Sequence, residues 1–301
     1  MAADPGATTA LPDDVKKNVK SIVLELRHLF EADLGLGLKR LGIDAETGKV
    51  TPADDPTLSY LTAEEHEARG ALDAVLAKEA AMTKDVPEAV RALLREAAYT
   101  HLNRLIGLKC LELRGHLVID GERTEVVTQR SDYGDLSKYL WTLRSRDARL
   151  LGDPESLWRE GLLRACTAAS AELGVLFDPA DPYAQVWPSH KALVQAVRTL
   201  DELPESAFHA DELLGWVYQY FQSEEKDRVF AEVKTKKKKI AWADIVPVTQ
   251  LYTERYMVDY LLQNSIGARW MERGGRVGLD SMIWFLGDEL LIMQLSVPSV
   301  M

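Results

Sequence analysis

Cysteine is scarce in this chain of 301 residues. The two present, Cys110 and Cys166, lie far apart inside helical patterns, so buried thiols are expected and a disulfide framework is excluded. The six histidines, His28, His66, His101, His116, His190 and His209, show no metal-ligand spacing, and His101 falls in an apolar-patterned helix as a hydrogen-bonded core residue. Long hydrophobic runs are missing as well. The most apolar late segment, residues 282–295, is broken by Asp288 and Glu289 and is too short to span a bilayer. The start of the chain carries acidic residues and no apolar core of a signal peptide, so a cytoplasmic protein without membrane contact is expected. Positive charge is in deficit: 36 Lys and Arg against 47 Asp and Glu give a net charge of −11. That argues against indiscriminate nucleic-acid binding by the whole surface, though not against a local basic patch. No repeat of fixed period is found.

What is present reads as a soluble globular chain, 47% hydrophobic and 28% charged, long enough to bury a real core. Residues 1–12 are small and polar, a disordered tail. From Asp13 or Asp14, apolar residues recur at helical spacing through Val15, Val19, Ile22, Val23, Leu26 and Phe30. Residues 31–58, with several glycines and two prolines, read as an irregular connection. Thr62 and Glu65 form a capping-box pattern that opens a helix to about Lys84, and Pro87 suits the first turn of the next helix, which stops at Gly115. Asp120-Gly121 between β-branched residues predicts a hairpin. Helices are expected from Tyr133 to Leu151, from Glu155 to Leu173, and over 189–201, 211–222 and 224–233, with a proline-rich loop across 177–189. The fold class is mainly α, a multi-helix region with room for one small β-hairpin. The expected organisation is a helical domain over 13–205, a helical segment over 206–273 and a C-terminal tail over 274–301 that reads as a truncation.

One stretch, 211–270, carries most of the information. It begins DELLGWVYQYFQSEEKDRVF and crosses Lys234 and Lys236, Lys237, Lys238 and Lys239, the concentrated positive charge of the chain. It ends IVPVTQLYTERYMVDYLLQNSIGARW. Thr253 stands where an N-cap belongs, and Met257, Val258, Leu261, Leu262, Ile266 and Trp270 then share one helical face. A helix start leaves N–H groups and a positive dipole end outward, a seat for a carboxylate or phosphate. The aromatics Trp216, Tyr218, Tyr220 and Phe221 are read as core. This stretch resembles the region before the catalytic core of PglX-type adenine-specific DNA methyltransferases of bacterial phage-defence systems (BREX, phage growth limitation and DISARM-like). The helix bearing Asn103-Arg104 resembles an earlier segment of the same family. In that family Thr-Gln-Leu-Phe/Tyr-Thr-Pro corresponds to motif X, beside the bound S-adenosylmethionine. Here Glu254 stands in place of the proline, and a carboxylate suits the first turn of a helix.

The resemblance implies an enzyme that transfers a methyl group from S-adenosylmethionine to N6 of adenine in double-stranded DNA. It implies Gln250, Tyr252 and Thr253 at the border of the cofactor, and other phage-defence subunits or a separate methyltransferase core as partners. Lys236–Lys239 are candidate DNA phosphate contacts. Catalytic residues and metal ligands are expected to be absent. The glycine-rich turn that lets backbone approach the cofactor and the Asn/Asp-Pro-Pro-aromatic motif that holds a flipped adenine are both missing. Asp178-Pro179-Ala180 lacks the glycines and Asp181-Pro182-Tyr183 lacks the second proline, and both precede the motif X-like stretch. Gly35-Leu36-Gly37 and the glycines of 274–278 follow no credible strand and read as loop glycines. Two other readings stand beside this one: a non-catalytic helical protein- or DNA-interaction module, and more distantly a Mg²⁺-dependent nuclease using Asp227, Glu232 and Lys234.

Overall fold

A computed structural model describes residues 11–237, 240, 242–249 and 251–272. The chain divides into two compact units, Met1–Gln250 and Leu251–Met301. The described part of the first is built almost wholly from helices: α1 (Asp13–Arg40), α2 (Ala63–Thr83), α3 (Val86–Leu113), α4 (Lys138–Arg146), α5 (Pro154–Phe177), α6 (His190–Leu200), α7 (Glu205–His209), α8 (Leu213–Phe221), α9 (Ser223–Lys236) and α10 (Trp242–Thr249). Two short antiparallel pairs interrupt them, β1 (Ile43–Asp44) with β2 (Lys49–Val50) and β3 (Val118–Ile119) with β4 (Glu122–Arg123). The second pair is the hairpin expected at Asp120-Gly121, and the first was not anticipated.

α3 is the central helix. Every residue from His101 to Lys109 except Asn103 is buried, so it is covered on all sides, and α1, α2, α5, α7 and α8 pack around it. Gly107 makes this closeness possible. A Cβ there would come within 2.9 Å of Phe177, which is fully buried against α3.

α1 does not stop near Phe30 as expected but runs on to Arg40, so Gly35-Leu36-Gly37 lies inside a helix and not in a loop. Leu34 and Leu38 continue the buried stripe of Leu26 and Phe30. Burying two leucines outweighs a helix penalty of about 1 kcal/mol per glycine. The β1–β2 turn follows, with the Asp44 carboxylate accepting from the N–H of Glu46 (2.9 Å) and Thr47 (3.2 Å). Gly48 closes that turn at φ 71°, with Pro87 so near that an added Cβ would fall 2.6 Å from its Cα.

α2 opens with the capping box read from the sequence. The Thr62 hydroxyl accepts from the Glu65 N–H (3.2 Å) and the Glu65 carboxylate accepts from the Thr62 N–H (2.8 Å). Arg40, and then the Thr62 N–H, hold the Glu65 carboxyl at about 2 against the opposing effect of burial, below its ordinary 4.5. A lowered carboxylate pKa stabilises the fold above the unfolded value and ceases to do so as pH falls through the folded one. Thr62→Ala is therefore expected to cost about 1 kcal/mol at neutral pH. Glu65→Gln should remove a share of the stability lost between pH 4.5 and about 2, which denaturation followed across that window would measure.

The helix expected over Tyr133–Leu151 is shorter than the spacing suggested. Gly134 (φ 65°) and Asp135 (φ 60°) are both left-handed, so the helix starts only after Ser137, whose hydroxyl accepts from the Leu140 N–H at 3.1 Å. α5 runs past the expected stop at Leu173, through a kink at that residue (φ −124°, ψ 46°), and brings Phe177 into the core. Cys110 and Cys166 are free thiols, both pushed up to about 11 by burial. Among the described residues no helix is long and apolar enough to cross a membrane.

The described part of the second unit is one nearly continuous helix: α11 (Arg255–Leu262), a π turn (Gln263–Gly267) and α12 (Ala268–Glu272). The tail expected over 274–301 lies outside the described residues.

Candidate functional site

The lysine-rich run follows α9, and α9 is anchored by a chain of ion pairs. Arg27 of α1, 4% exposed, donates to the Phe221 carbonyl (2.7 Å) and to Glu31 (2.8 Å), and pairs with Glu225 (3.4 Å). Glu225 also receives Arg95 (3.4 Å) and Arg228 (3.0 Å), and Arg228 reaches Asp244 of α10 at 2.9 Å. Burial pushes the Glu225 carboxyl up, but Arg95, Arg228 and Arg27 together hold it below the usual carboxylate value. α1, α3 and α9 are thereby tied through the Glu225 carboxylate, and Arg228 extends the tie to α10 through Asp244. Two of the four aromatics read as core behave so, and Tyr218 and Tyr220 are half-buried. Trp216 and Phe221 are buried, Trp216 stacks on Tyr220 at 5.4 Å, and Phe221 packs on Tyr99 at 5.0 Å.

Past this anchor Lys234 is exposed, Lys236 is the last residue of α9, and Lys237 turns left-handed (φ 50°, ψ 28°) with its side chain in solvent. Lys238 and Lys239 lie outside the described residues. Glu232, offered above as a metal-binding carboxylate, sits on a helix and pairs with Arg228 at 3.7 Å. Among the described residues no group of three or more His, Cys, Asp or Glu could hold a metal ion.

The motif X-like residues straddle the division between the two units. Gln250 lies outside the described residues, Tyr252 is half-buried and Thr253 is exposed. Thr253 does not cap the helix as expected. The cap position is Glu254 (φ −59°, ψ 142°), whose carbonyl accepts from the N–H of Met257 (3.0 Å) and Val258 (3.3 Å), with no side-chain cap. A hydroxyl one residue too early cannot reach the first-turn N–H groups, and a glutamate stem is too long to fold back on them. The apolar face read from the spacing is present but open to solvent, with Met257, Val258, Leu261, Leu262, Ile266 and Trp270 between 38% and 68% exposed.

The Asp-Pro decoys are pinned to α3 by a residue whose role could not be read from the sequence. Arg104, buried, donates to the carbonyls of Leu176 (3.1 Å) and Asp178 (2.6 Å) and lies 3.7 Å from Asp181. Tyr183 donates to Glu79 at 3.0 Å. The Asn-Arg pair of the family-like helix thus serves in part to fasten this loop. His101 donates from Nε2 to the Val186 carbonyl (2.7 Å), and burial lowers its pKa to about 4, so it stays neutral in the core.

These features define a mainly helical region, whose buried Arg27, Arg69, His101, Arg104, Lys109 and Glu112 are engaged in internal bonds. No family model matches the chain. It is 27% identical over 271 residues to the adenine-specific methyltransferase BrxX of Escherichia coli O9:H4 (strain HS), covering 85% of this chain and 22% of that protein. It is 28% identical over 288 residues to the adenine-specific methyltransferase PglX of Lacticaseibacillus casei (strain Zhang), again 85% of this chain and 23% of the relative. The chain is homologous to the PglX- and BrxX-type adenine-specific methyltransferases, and it spans less than a quarter of the length of these curated relatives.

Proposed function

We propose that the chain is a helical part of an adenine-specific DNA methyltransferase acting in bacterial phage defence, and that it contributes DNA contacts and the edge of the cofactor site. The observation that carries this reading is the match to two proteins of that name over 85% of the chain. The chemistry fits the division of labour. Methyl transfer to adenine N6 needs a cofactor turn and a polar grip on an extruded base, and this sequence has neither motif. The transferring residues therefore belong to a methyltransferase core outside it. When bound in that core, S-adenosylmethionine supplies the methyl group. Gln250, Tyr252 and Thr253 border it by packing, and Lys236–Lys239 meet DNA phosphates. The exposed apolar face of α11 and α12 supports the same reading. An α/β methyltransferase core is the occupant that would cover it, because the relatives are far longer and carry the activity this segment lacks.

Calorimetric titration of S-adenosylmethionine into the purified chain tests the proposal. No heat of binding is expected. Micromolar affinity that weakens in Thr253→Ala would show a complete cofactor pocket in this chain and sink the division of labour. A non-catalytic helical protein- or DNA-interaction module is the second reading, favoured by the exposure of Thr253 and of the apolar face that follows it.

A further inference from the structure

α4 contains no carboxylate, in a chain whose net charge is −11. Its nine residues hold Lys138, Arg144 and Arg146. Leu140 and Leu143 face inward, while Lys138, Trp141 and Ser145, at steps of three and four, lie along the opposite side in solvent. Arg144 and Arg146 flank that line. Trp141, 41% exposed, rests with one side against Tyr133, ring centres 5.6 Å apart at 41°.

The arginines of this region differ from the others in the fold. Elsewhere in the first unit the described arginines are taken up by carboxylates: Arg27, Arg40, Arg69, Arg91, Arg95, Arg104, Arg114 and Arg130, and likewise those from Arg149 to Arg228, are all ion-paired. Among the described residues Arg123, Arg144 and Arg146 have no such partner. Arg123 reaches α4 through a shallow depression of about 430 Å³, which it lines together with Tyr133, Lys138 and the Arg130–Glu125 pair. Asp132 also lines it and is the one carboxylate there that the protein leaves unbonded, since Glu112 is held by backbone N–H groups. Arginine left unpaired beside an exposed indole, on a helix that itself carries no carboxylate, is the chemistry of a phosphodiester surface. Guanidinium groups meet phosphate oxygens in pairs, and the indole offers an N–H and an apolar face to the sugar.

We propose that the exposed side of α4, with Arg123 and Trp141, is a contact surface for the backbone of duplex DNA, separate from the Lys236–Lys239 run. It rests on the reading above that this chain contributes DNA contacts, and does not depend on the cofactor edge. Binding here follows charge and not sequence, so each phosphate neutralised adds about 0.9 to the salt slope.

The test is fluorescence anisotropy of a labelled mixed-sequence duplex with the full chain, in the absence of S-adenosylmethionine and across a range of salt. Combined Lys138→Gln, Arg144→Gln and Arg146→Gln should weaken binding about tenfold or more at low salt and reduce the salt slope by about 2 to 3. Circular dichroism and melting confirm that the variant is folded. Asp132→Asn should tighten binding, which loss of folding could not imitate. Neutralising Lys236–Lys239 serves as the comparison. If that change abolishes binding while the α4 variant matches the parent in affinity and slope, the α4 surface is wrong and the methyltransferase reading is untouched. A parent chain that ignores duplex DNA also overturns the proposal, in favour of an acidic protein on this face, and the cofactor titration still decides the other question.

Discussion

Arg69→Met is expected to destabilise the helical unit by about 3 kcal/mol, among the largest effects of any single exchange in this chain. Arg69 lies on α2 and is fully buried, yet its guanidinium bonds to backbone. Nε donates to the Leu41 carbonyl and Nη2 to the Thr51 carbonyl, both at 2.9 Å, while Nη1 meets Asp73. Leu41 and Thr51 bracket the β1–β2 hairpin, so one side chain ties the end of α1, the hairpin and α2 together. Methionine keeps most of the buried stem but leaves two carbonyls without donors, at about 1–3 kcal/mol each. Asp73 is the internal control. Its side chain is 43% exposed, so Asp73→Asn should cost less than about 1 kcal/mol. Urea denaturation followed by circular dichroism separates the two. Equal midpoints for Arg69→Met and the parent would refute this account of the hairpin.

Glu112→Ala should cost about 3–5 kcal/mol, and its effect should reach beyond α3. The Glu112 carboxylate accepts from the N–H of Val126, Val127 (2.5 Å) and Thr128 (3.0 Å), and from the Thr128 hydroxyl (3.0 Å). These amides lie outside helix and strand, and Val126 and Val127 are fully buried, so the carboxylate is what satisfies them. Burial pushes the Glu112 carboxyl up and the bonds from Val127, Val126 and Thr128 pull it back. Lys109 completes the cluster, donating to the Thr128 hydroxyl at 3.0 Å and to Asp201 at 2.6 Å. Alanine would strand three amides. Glutamine, which keeps the oxygen that serves Val126 and Val127, should lose roughly half as much. Because residues 126–128 lead into α4, hydrogen exchange at Leu140 and Leu143 should rise with Glu112→Ala. Unchanged exchange there would mean that α4 is held independently of this nest.

Much of the helical scaffold could be read directly. Local chemistry decided the capping box at Thr62, Pro87 in a first turn, the stop at Gly115 and the Asp120-Gly121 hairpin, and each appears where the sequence placed it. The expectations that failed did so for distant and for local reasons. Gly35 and Gly37 suggested a loop, but burial of Leu34 and Leu38 kept α1 helical. Thr253 was read as a cap from its type alone, and the backbone begins the helix one residue later.

The candidate site divides in the same way. The lysine run and the motif X-like residues were visible because composition and order carry them. The α4 surface was not, because three unpaired arginines cannot be told from paired ones until the fold assigns partners to the rest.

The sequence by itself determined the mainly helical class, the helix starts and one hairpin, and the lack of a cofactor turn, because these depend on contacts within a few residues. Only the tertiary structure decided which charges are spent and which remain available. Glu225 and Arg104 are consumed in internal bonds, whereas Arg123, Arg144 and Arg146 have no carboxylate partner, Arg123 and Arg146 being exposed and Arg144 half-buried. Pairing depends on side chains brought within about 4 Å from distant parts of the chain, and no local pattern fixes that distance.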